Sequence, residues 1–266
     1  MNVTGVMKSI QGKRPFQQDR CGFMQIKDNA FLVVADGNGG TGGCELANTA
    51  VKSVISECCL RFSEKENARI TSADSLEKIG LEIVDRAAKE VMCVKKANNW
   101  DRAGTTITLL TLNNKFVAVF WLGDSPAYIY RRGAVENLIT PHTLAEELIK
   151  NGQSRESVKQ QKSIQSILTQ CAGHEPYKPE AKVIENELPC FVMAGSDGLS
   201  GFLDEEAILT VVQENLFSSV PLQEICDALV ARSYLHGSDD NITLVMAKYY
   251  KNAGTNLEKK LDMMHD

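Results

Sequence analysis

The fold is decided by the stretch Ala30-Phe31-Leu32-Val33-Val34-Ala35, which is followed directly by Asp36-Gly37. Six consecutive apolar residues before a turn signal predict a strand that is buried on both faces. A second stretch, Phe191-Val192-Met193-Ala194-Gly195-Ser196, leads in the same way into Asp197-Gly198. A carboxylate at the end of a buried strand is costly unless a cation or several hydrogen-bond donors meet it. The two stretches therefore predict one shared cation site.

The composition is typical of a globular protein and disfavours two classes of partner. The chain has 266 residues, of which 43% are hydrophobic and 24% charged, and its formal net charge is −5. Because no Lys/Arg block occurs, neither a nucleic acid nor an anionic membrane is the expected partner. No apolar stretch is long enough for a signal peptide or a membrane span, which predicts a cytoplasmic protein. The eight cysteines form no C-x-x-C pair and are expected to be small buried hydrophobes in a reducing compartment.

Hydrophobic periodicity predicts strands and helices in alternating groups. Strands are predicted at 3–10, 21–26, 30–35, 105–112, 116–122, 127–131, 181–184, 190–194 and 242–249. Helices are predicted at 44–62, 76–94, 144–149 and 221–236, with another that opens at Asp204. Hairpin-linked strands with helices grouped between them indicate an α+β fold with antiparallel sheets. We expect one domain over residues 1–250, with a mobile flap around 153–163 and a polar tail at 251–266.

Two further acids lie at predicted strand ends. Asp124 follows the strand 116–122, and Asp240 precedes the strand 242–249, as Asp36 and Asp197 follow theirs. Each acid taken alone is explained as a turn residue, but four at strand ends can converge on one edge of the strands. Oxygen ligands select Mg²⁺ or Mn²⁺, and no His/Cys set with zinc spacing competes. The sequence therefore predicts an all-oxygen site for a hard cation.

The glycine-rich segment Gly37-Asn38-Gly39-Gly40-Thr41-Gly42 allows a different interpretation. It matches the G-x-G-x-x-G fingerprint of dinucleotide binding, after a strand and before a helix. Against that interpretation, three strands precede it and a second helix, not a parallel strand, follows its helix. Glu57, which stands near the distance of the ribose-binding acid, lies inside a predicted helix. Dinucleotide binding remains the remote alternative.

The ordered motifs of the chain resemble those of a known family. They cover residues 3–249 and resemble the bacterial-type metal-dependent protein serine/threonine phosphatases of the PP2C (PPM) family. The motifs are Arg14-Pro15-Phe16-Gln17-Gln18-Asp19, Val34-Ala35-Asp36-Gly37-Asn38-Gly39-Gly40, Gly104-Thr105-Thr106, Leu122-Gly123-Asp124-Ser125, Ser196-Asp197-Gly198-Leu199 and Asp240-Asn241-Ile242-Thr243.

The resemblance implies a sandwich of two antiparallel β-sheets with α-helices on both outer faces. It also implies a binuclear Mn²⁺ or Mg²⁺ site that activates water to hydrolyse phosphoserine or phosphothreonine in a protein. The substrate would be a phosphorylated protein, such as a serine/threonine kinase or its target, and the enzyme would be a monomer. The segment 144–173 corresponds to the family's variable flap.

By motif position, the resemblance also implies the metal ligands. Asp36 would bridge the two metals, and the Gly37 carbonyl would bind one of them. Asp197 and Asp240 would hold the other metal. Asp124 resembles the residue that helps Asp197 to form a third, weaker metal site.

The first motif would supply the two remaining site residues. Arg14 matches the arginine that receives the substrate phosphate, and a planar guanidinium suits that role because it donates two hydrogen bonds and keeps its charge. Asp19 resembles the acid that acts on metal-bound water and belongs to the metal site. The nucleophile would then be a hydroxide, without a covalent enzyme intermediate.

Several positions depart from the family pattern. Asn38 stands where many members have a histidine, Gln18 where they have a glutamate, and Pro126 where they have an arginine. His142 lies in a shortened form of another family segment and is expected to be structural. These departures keep a pseudophosphatase, which binds a phosphoprotein without turnover, as the alternative. Asp36, Asp197 and Asp240 are all intact, which favours an active phosphatase.

Overall fold

The computed structural model describes residues 2–63, 72–187, 190–216 and 220–250. Its strands, in chain order, are β1 (Asn2–Ile10), β2 (Arg20–Ile26), β3 (Asn29–Ala35), β4 (Gly37–Asn38), β5 (Gly104–Thr105), β6 (Ile107–Leu112), β7 (Phe116–Leu122), β8 (Ala127–Arg131), β9 (Ala134–Asn137), β10 (Glu180–Glu185), β11 (Cys190–Gly195) and β12 (Ile242–Tyr250). Its helices are α1 (Thr41–Ser63), α2 (Ala73–Ala97), α3 (Leu144–Lys150), α4 (Arg155–Gln160), α5 (Lys162–Gln165), α6 (Asp197–Ser200), α7 (Glu205–Leu216) and α8 (Leu222–Leu235).

Two antiparallel five-stranded sheets form the centre of the fold. One has the strand order β1-β12-β11-β8-β9, and the other has the order β10-β7-β6-β3-β2. The β3 strand pairs antiparallel with β2 and with β6, so it belongs to no parallel βαβ unit. The strand order therefore removes the structural context that dinucleotide binding at the glycine-rich loop would need.

The burial of β3 explains why its sequence lacks alternation. Leu32 and Val34 pack in the core between the sheets, together with Val192 and Val245 of the other sheet. Phe31 and its neighbours at alternate positions pack instead against α1 and α2 on the outer face. Because both faces of β3 are covered, all seven of its residues are buried, as the apolar run predicts.

Helices cover both outer faces of the sandwich. The α1 and α2 helices pack on the sheet that contains β3, and Gly80 of α2 leaves no room for a Cβ above the ring of Phe120. The α7 and α8 helices pack on the other sheet, where Leu229 and Met246 share a cluster. The α+β prediction with a helix-flanked sandwich is thereby confirmed.

Several predicted elements need correction. The strand predicted at 105–112 is split into β5 and β6, because the backbone at Thr106 bonds to Asp36 and leaves the sheet ladder. The β9 strand was not predicted, since it is only four residues long and contains as many polar as apolar residues. The segment predicted as uncommitted, 153–163, forms the short helices α4 and α5, each only a few residues long. The Asp197-Gly198 pair opens the helix α6, where the sequence predicts a turn.

Other expectations concern the chain as a whole. None of the helices in the described ranges is both long and apolar enough to cross a membrane. All eight cysteines are free thiols. Cys58, Cys171, Cys190 and Cys226 are buried, whereas Cys21 and Cys44 are half-buried and Cys59 and Cys93 are exposed. The expectation of buried cysteines therefore holds for four of the eight. The predicted polar tail at 251–266 lies outside the described residues.

Candidate active site

The predicted site acids meet at one end of the sandwich because of how the strands run. Asp36 follows the C-terminal end of β3, and Asp124 follows that of β7, two strands away in the same sheet. In the other sheet Asp197 follows β11, and Asp240 precedes β12, which is antiparallel to β11. Asp19 immediately precedes β2, whose first residue pairs with the last residue of β3. All five acids therefore lie where the two sheets meet.

Hydrogen bonds to Thr105 and Thr106 fix the backbone of Asp36. Its amide donates to Thr106 Oγ1 at 2.9 Å, and its carbonyl accepts from the Thr106 amide at 2.9 Å and from Thr105 Oγ1 at 3.0 Å. The next residue, Gly37, is buried, and a Cβ there would collide with the Gly43 carbonyl. The turn after β3 therefore requires glycine and fixes the direction in which Asp36 leaves the strand.

Asp197 is held at the first position of α6. Gly198 has no space for a Cβ because the Asn241 carbonyl lies against it. The Gly198 carbonyl accepts from Ser233 Oγ at 2.7 Å and from Ser238 Oγ at 2.9 Å, and all three groups are buried. These contacts attach the short helix to the segment that leads into β12, which keeps Asp197 beside Asp240.

Asp124 depends on an unusual backbone conformation. Gly123 has a φ of +118° and lies against Thr106, so a side chain is excluded there by both conformation and space. The Gly123 amide donates to His142 Nδ1 at 3.1 Å, and the Gly123 carbonyl accepts from the His142 amide at 2.9 Å. His142 is buried and serves the turn before Asp124, which agrees with a structural role.

Arg14 lies on the loop between β1 and β2 and contacts one of the acids. Its Nη2 donates to Asp240 Oδ2 at 2.6 Å, and about half of the arginine side chain is exposed. The hydrogen bond to Asp240 raises the pKa of Arg14, so the guanidinium stays charged. Only one of its nitrogen atoms is used by Asp240, which leaves donors for an anion from solvent.

Asn241 holds the Arg14 loop in place and is a residue whose role the sequence did not suggest. Its Nδ2 donates to the carbonyls of Gln11 at 2.7 Å and Phe16 at 2.9 Å, and its Oδ1 accepts from the Gln18 amide at 2.8 Å. The side chain is buried and uses its donors and its acceptor on this one loop. The sequence signal that could have identified Asn241 is its position directly after Asp240 in the motif Asp240-Asn241-Ile242-Thr243.

Burial and mutual repulsion act on the acids together. Burial, opposed by hydrogen bonds from Ser196 and Thr243, raises the pKa of Asp19 to about 6. Burial and the charge of Asp197 raise the pKa of Asp124 to about 7. Burial is also the main cause of the raised pKa values of Asp36 and Asp197, which share a hydrogen bond. Without a cation, this cluster favours protonated carboxyl groups.

Two buried oxygens in the cluster lack a hydrogen-bond partner. They are Asp19 Oδ2 and Asp197 Oδ1. Buried carboxylate oxygens normally have partners, and a hard divalent cation is a suitable one. The donor set of carboxylates and backbone carbonyls therefore fits Mn²⁺ or Mg²⁺. Within the described ranges, however, no three His, Cys, Asp or Glu side chains are already arranged closely enough to enclose an ion.

The departures from the family pattern have structural partners. Gln18 Nε2 donates to the Gly40 carbonyl at 2.6 Å, a bond that a glutamate could not make. Asn38 is part of β4, and its side chain contacts the Cys171 thiol. Pro126 is buried, and its carbonyl accepts from the Gly195 amide at 3.1 Å. Each of the three residues thus supports the loops that carry the acids.

The fold matches those of solved bacterial phosphatases. The structure of the S. agalactiae serine/threonine phosphatase has a TM-score of 0.79 at 22% identity and covers 94% of this chain and 100% of its own. The catalytic domain of the serine threonine protein phosphatase PstP, solved in complex with 2 manganese ions, has a TM-score of 0.74 at 20% identity and covers 94% and 99%. These structures define the fold as that of protein serine/threonine phosphatases.

The sequence comparisons give the family. The model of protein phosphatase 2C matches residues 8–231. The serine/threonine phosphatase stp of Listeria monocytogenes is 24% identical over 238 residues, which are 88% of this chain and 91% of that protein. The chain belongs to the protein phosphatase 2C family and is a bacterial-type phosphatase, as the ordered motifs predict.

Proposed function

We propose that this protein removes phosphate from phosphoserine and phosphothreonine in proteins at a site that holds two Mn²⁺ or Mg²⁺ ions. The observation that carries the proposal is the cluster of five aspartates with two unpartnered buried oxygens, Asp19 Oδ2 and Asp197 Oδ1. Such a cluster is unfavourable without a counter-charge, and divalent cations supply one. The PstP structure, which holds two manganese ions in the same fold, supports the same number of ions here.

The ligand roles follow the positions of the acids. The charges of Asp19, Asp124 and Asp197 all raise the pKa of Asp36, so these acids are near it, and Asp36 would be the ligand that the two ions share. The Gly37 carbonyl would be a further ligand of one of these two ions.

Asp197 and Asp240 lie on neighbouring segments, and the charge of Asp240 raises the pKa of Asp197. We assign these two acids to the second ion. Asp124, whose pKa is also raised by Asp197, would hold a third and weaker ion.

The chain's own residues prepare the substrate for attack. When bound, two divalent ions would make a hydroxide nucleophile available at neutral pH and would neutralise charge on the transferred phosphoryl group. Arg14 binds the substrate phosphate with the donors that Asp240 leaves free, and its planar fork orients the group. Asp19, which is buried beside the hydroxyl groups of Ser196 and Thr243, accepts or donates a proton at its carboxyl group.

The wider assignments belong to the same proposal. Residues 1–250 would form one catalytic domain, with the flap at 144–173 beside the site. The substrate would be a phosphorylated protein in the cytoplasm, either a serine/threonine kinase or a target of one, and the enzyme would act as a monomer. The eight free thiols are consistent with a reducing compartment.

A paired assay tests the proposal against the pseudophosphatase alternative. With Mn²⁺, we expect the wild-type protein to hydrolyse p-nitrophenyl phosphate and a phosphothreonine peptide, with no loss after alkylation of its cysteines. We expect Asp197→Asn to lose at least 100-fold in kcat/KM, which is the order seen when a catalytic electrostatic contact is removed. Equal rates for the two proteins would contradict the proposal. A phosphorylated cysteine would contradict its mechanism.

A further inference from the structure

A groove with a volume of about 910 Å³ extends from the acid cluster. Asp124, Asp197 and Asp240 are among the residues that line it. Eight residues between positions 141 and 166 line its flap side, and residues 200–206, from the end of α6 to the first turn of α7, line its other side. A single phosphorylated side chain would occupy a small part of a space that suits a ligand of several residues. The groove is therefore large enough for residues that flank a phosphorylated one.

The flap side of the groove carries positive charge. Lys159, at the end of α4, and Lys162, at the start of α5, both line it and are exposed. Neither lysine makes an ion pair within the described ranges. The flap acid that lines the groove, Glu146, is already paired with Arg155 at 3.1 Å. The two lysines are thus the available charges on this side.

The other side of the groove carries negative charge. Glu205 and Glu206, in the first turn of α7, line it and are exposed. The helix is already capped, because Asp204 Oδ1 accepts from the Ala207 amide at 2.8 Å. Within the described part of the chain, neither glutamate has an ion-pair partner. Both glutamates are therefore free to meet a cationic ligand group.

The acid cluster connects the groove to the site proposed for the phosphate. Asp124, Asp197 and Asp240 line the same groove as the two lysines and the two glutamates. A phosphorylated residue at the acid cluster would therefore place its sequence neighbours in the groove, beside both kinds of charge, which suits a segment of mixed charge.

We propose that the groove selects phosphorylated protein segments of mixed charge, with acidic residues against Lys159 and Lys162 and basic residues against Glu205 and Glu206. This specificity rests on the proposed phosphatase function and narrows its substrate class. Exposed charge pairs contribute modestly, so two pairs on one side correspond to roughly a fivefold preference in kcat/KM. The preference should fade as salt screens it.

A charge-exchange experiment tests this specificity. Three kinds of phosphothreonine peptide carry a pair of aspartates, arginines or alanines either before or after the phosphothreonine, with alanines on its other side. Their hydrolysis is compared with that of p-nitrophenyl phosphate, with Mn²⁺ present. We expect the wild type to prefer each charged peptide over the alanine peptide in the placement that meets the opposite charge. Lys159→Glu with Lys162→Glu should lose the preference for aspartate and strengthen that for arginine. Glu205→Lys with Glu206→Lys should do the reverse.

The controls separate this inference from the proposed function. Lys52→Glu with Lys115→Glu makes the same change in net charge at exposed positions that do not line the groove, and should leave all preferences unchanged. The proposed specificity would be overturned if the groove variants changed kcat/KM equally for all three kinds of peptide, or did not change it at all. If the wild type fails to hydrolyse p-nitrophenyl phosphate, the proposed function fails. Fluorescence anisotropy of the same peptides then tests the groove by binding alone, and equal affinities would overturn it.

Discussion

Arg14 and Asp240 form an ion pair at the edge of the acid cluster, with 2.6 Å between Nη2 and Oδ2. The pair joins the residue assigned to the substrate phosphate to a residue assigned to a metal ion. A cation bound by Asp240 would weaken its hold on Arg14, because the carboxylate would share its charge with the metal. Metal binding and phosphate binding are therefore expected to be coupled at this pair.

Replacement of Arg14 should show how the phosphate is bound. Arg14→Lys keeps the positive charge but loses the planar fork, so we expect kcat/KM for a phosphothreonine peptide to fall by about tenfold to 100-fold, the range of one or more charge-assisted hydrogen bonds. Steady-state kinetics measure the effect. Arg61→Lys, at an ion-paired arginine on α1, serves as the control and should retain wild-type kinetics. Equal kinetics for Arg14→Lys and wild type would remove Arg14 from the phosphate site.

Asn241 should affect both stability and substrate binding. Asn241→Ala removes three hydrogen bonds to the Arg14 loop and leaves buried partners, so we expect the free energy of unfolding to fall by about 2–4 kcal/mol. Urea unfolding measures this change. Because the loop carries Arg14, KM should rise more than kcat falls at a temperature where the variant is folded. If KM is unchanged while the protein is destabilised, Asn241 serves only the fold.

The acid cluster predicts an unusual stability effect. Without metal, Asp197→Asn removes a buried charge from a group of repelling carboxyl groups, so we expect its melting temperature to equal or exceed that of wild type. With Mn²⁺ at about 100 times its dissociation constant, wild type should gain about 2.7 kcal/mol, or roughly 5–10 °C. The variant should gain less than half of that shift. Differential scanning calorimetry with and without EDTA checks both expectations.

A matched change at an exposed acid provides the control for the cluster. Asp101→Asn, in the loop between α2 and β5, should respond to Mn²⁺ as wild type does. A metal-free Asp197→Asn protein that melts well below wild type would show that Asp197 stabilises the fold by contacts other than metal binding.

His142 should make stability depend on pH. Burial lowers the pKa of His142 below its ordinary value of 6.5 in the folded state. The unfolded chain therefore binds the proton more readily, and the contribution of His142 to stability is lost as pH falls below about 6.5. Protonation of Nδ1 would also break the hydrogen bond from the Gly123 amide.

A comparison of two histidine variants checks this dependence. His142→Gln should show a smaller loss of unfolding free energy between pH 7.5 and about 5.5 than wild type shows. His236→Gln, at an exposed histidine after α8, should follow the wild-type profile. Identical slopes for wild type and His142→Gln would mean that other groups cause the pH dependence.

The sequence predicted structure correctly where a local pattern of residues has one main physical explanation. The apolar run before Asp36 predicted a strand buried on both faces, and the structure confirms it. The helices around Val54 and Val84 were predicted because their apolar residues recur at helical spacing. The acids at strand ends were found for the same reason, since a polar residue after an apolar run is conspicuous.

Long-range hydrogen bonds limited what the sequence could predict. The break in the strand at Thr106 depends on its bonds to Asp36, which lies 70 residues earlier. The hydrogen bonds from Asn241 to the Arg14 loop are made to carbonyl groups more than 220 residues away in the sequence, so no local pattern predicts these bonds. The helix that begins at Asp197 was missed because the Asp-Gly pair is equally common in turns.

The number of bound metal ions tests the central claim most directly. Metal-free protein is titrated with Mn²⁺, and the free ion is followed by electron paramagnetic resonance. We expect at least two ions per wild-type chain, with one fewer tightly bound ion in Asp197→Asn. Binding of no Mn²⁺ by wild type, or the same number and affinity of ions in both proteins, would contradict the assignment of this acid cluster as a binuclear metal site.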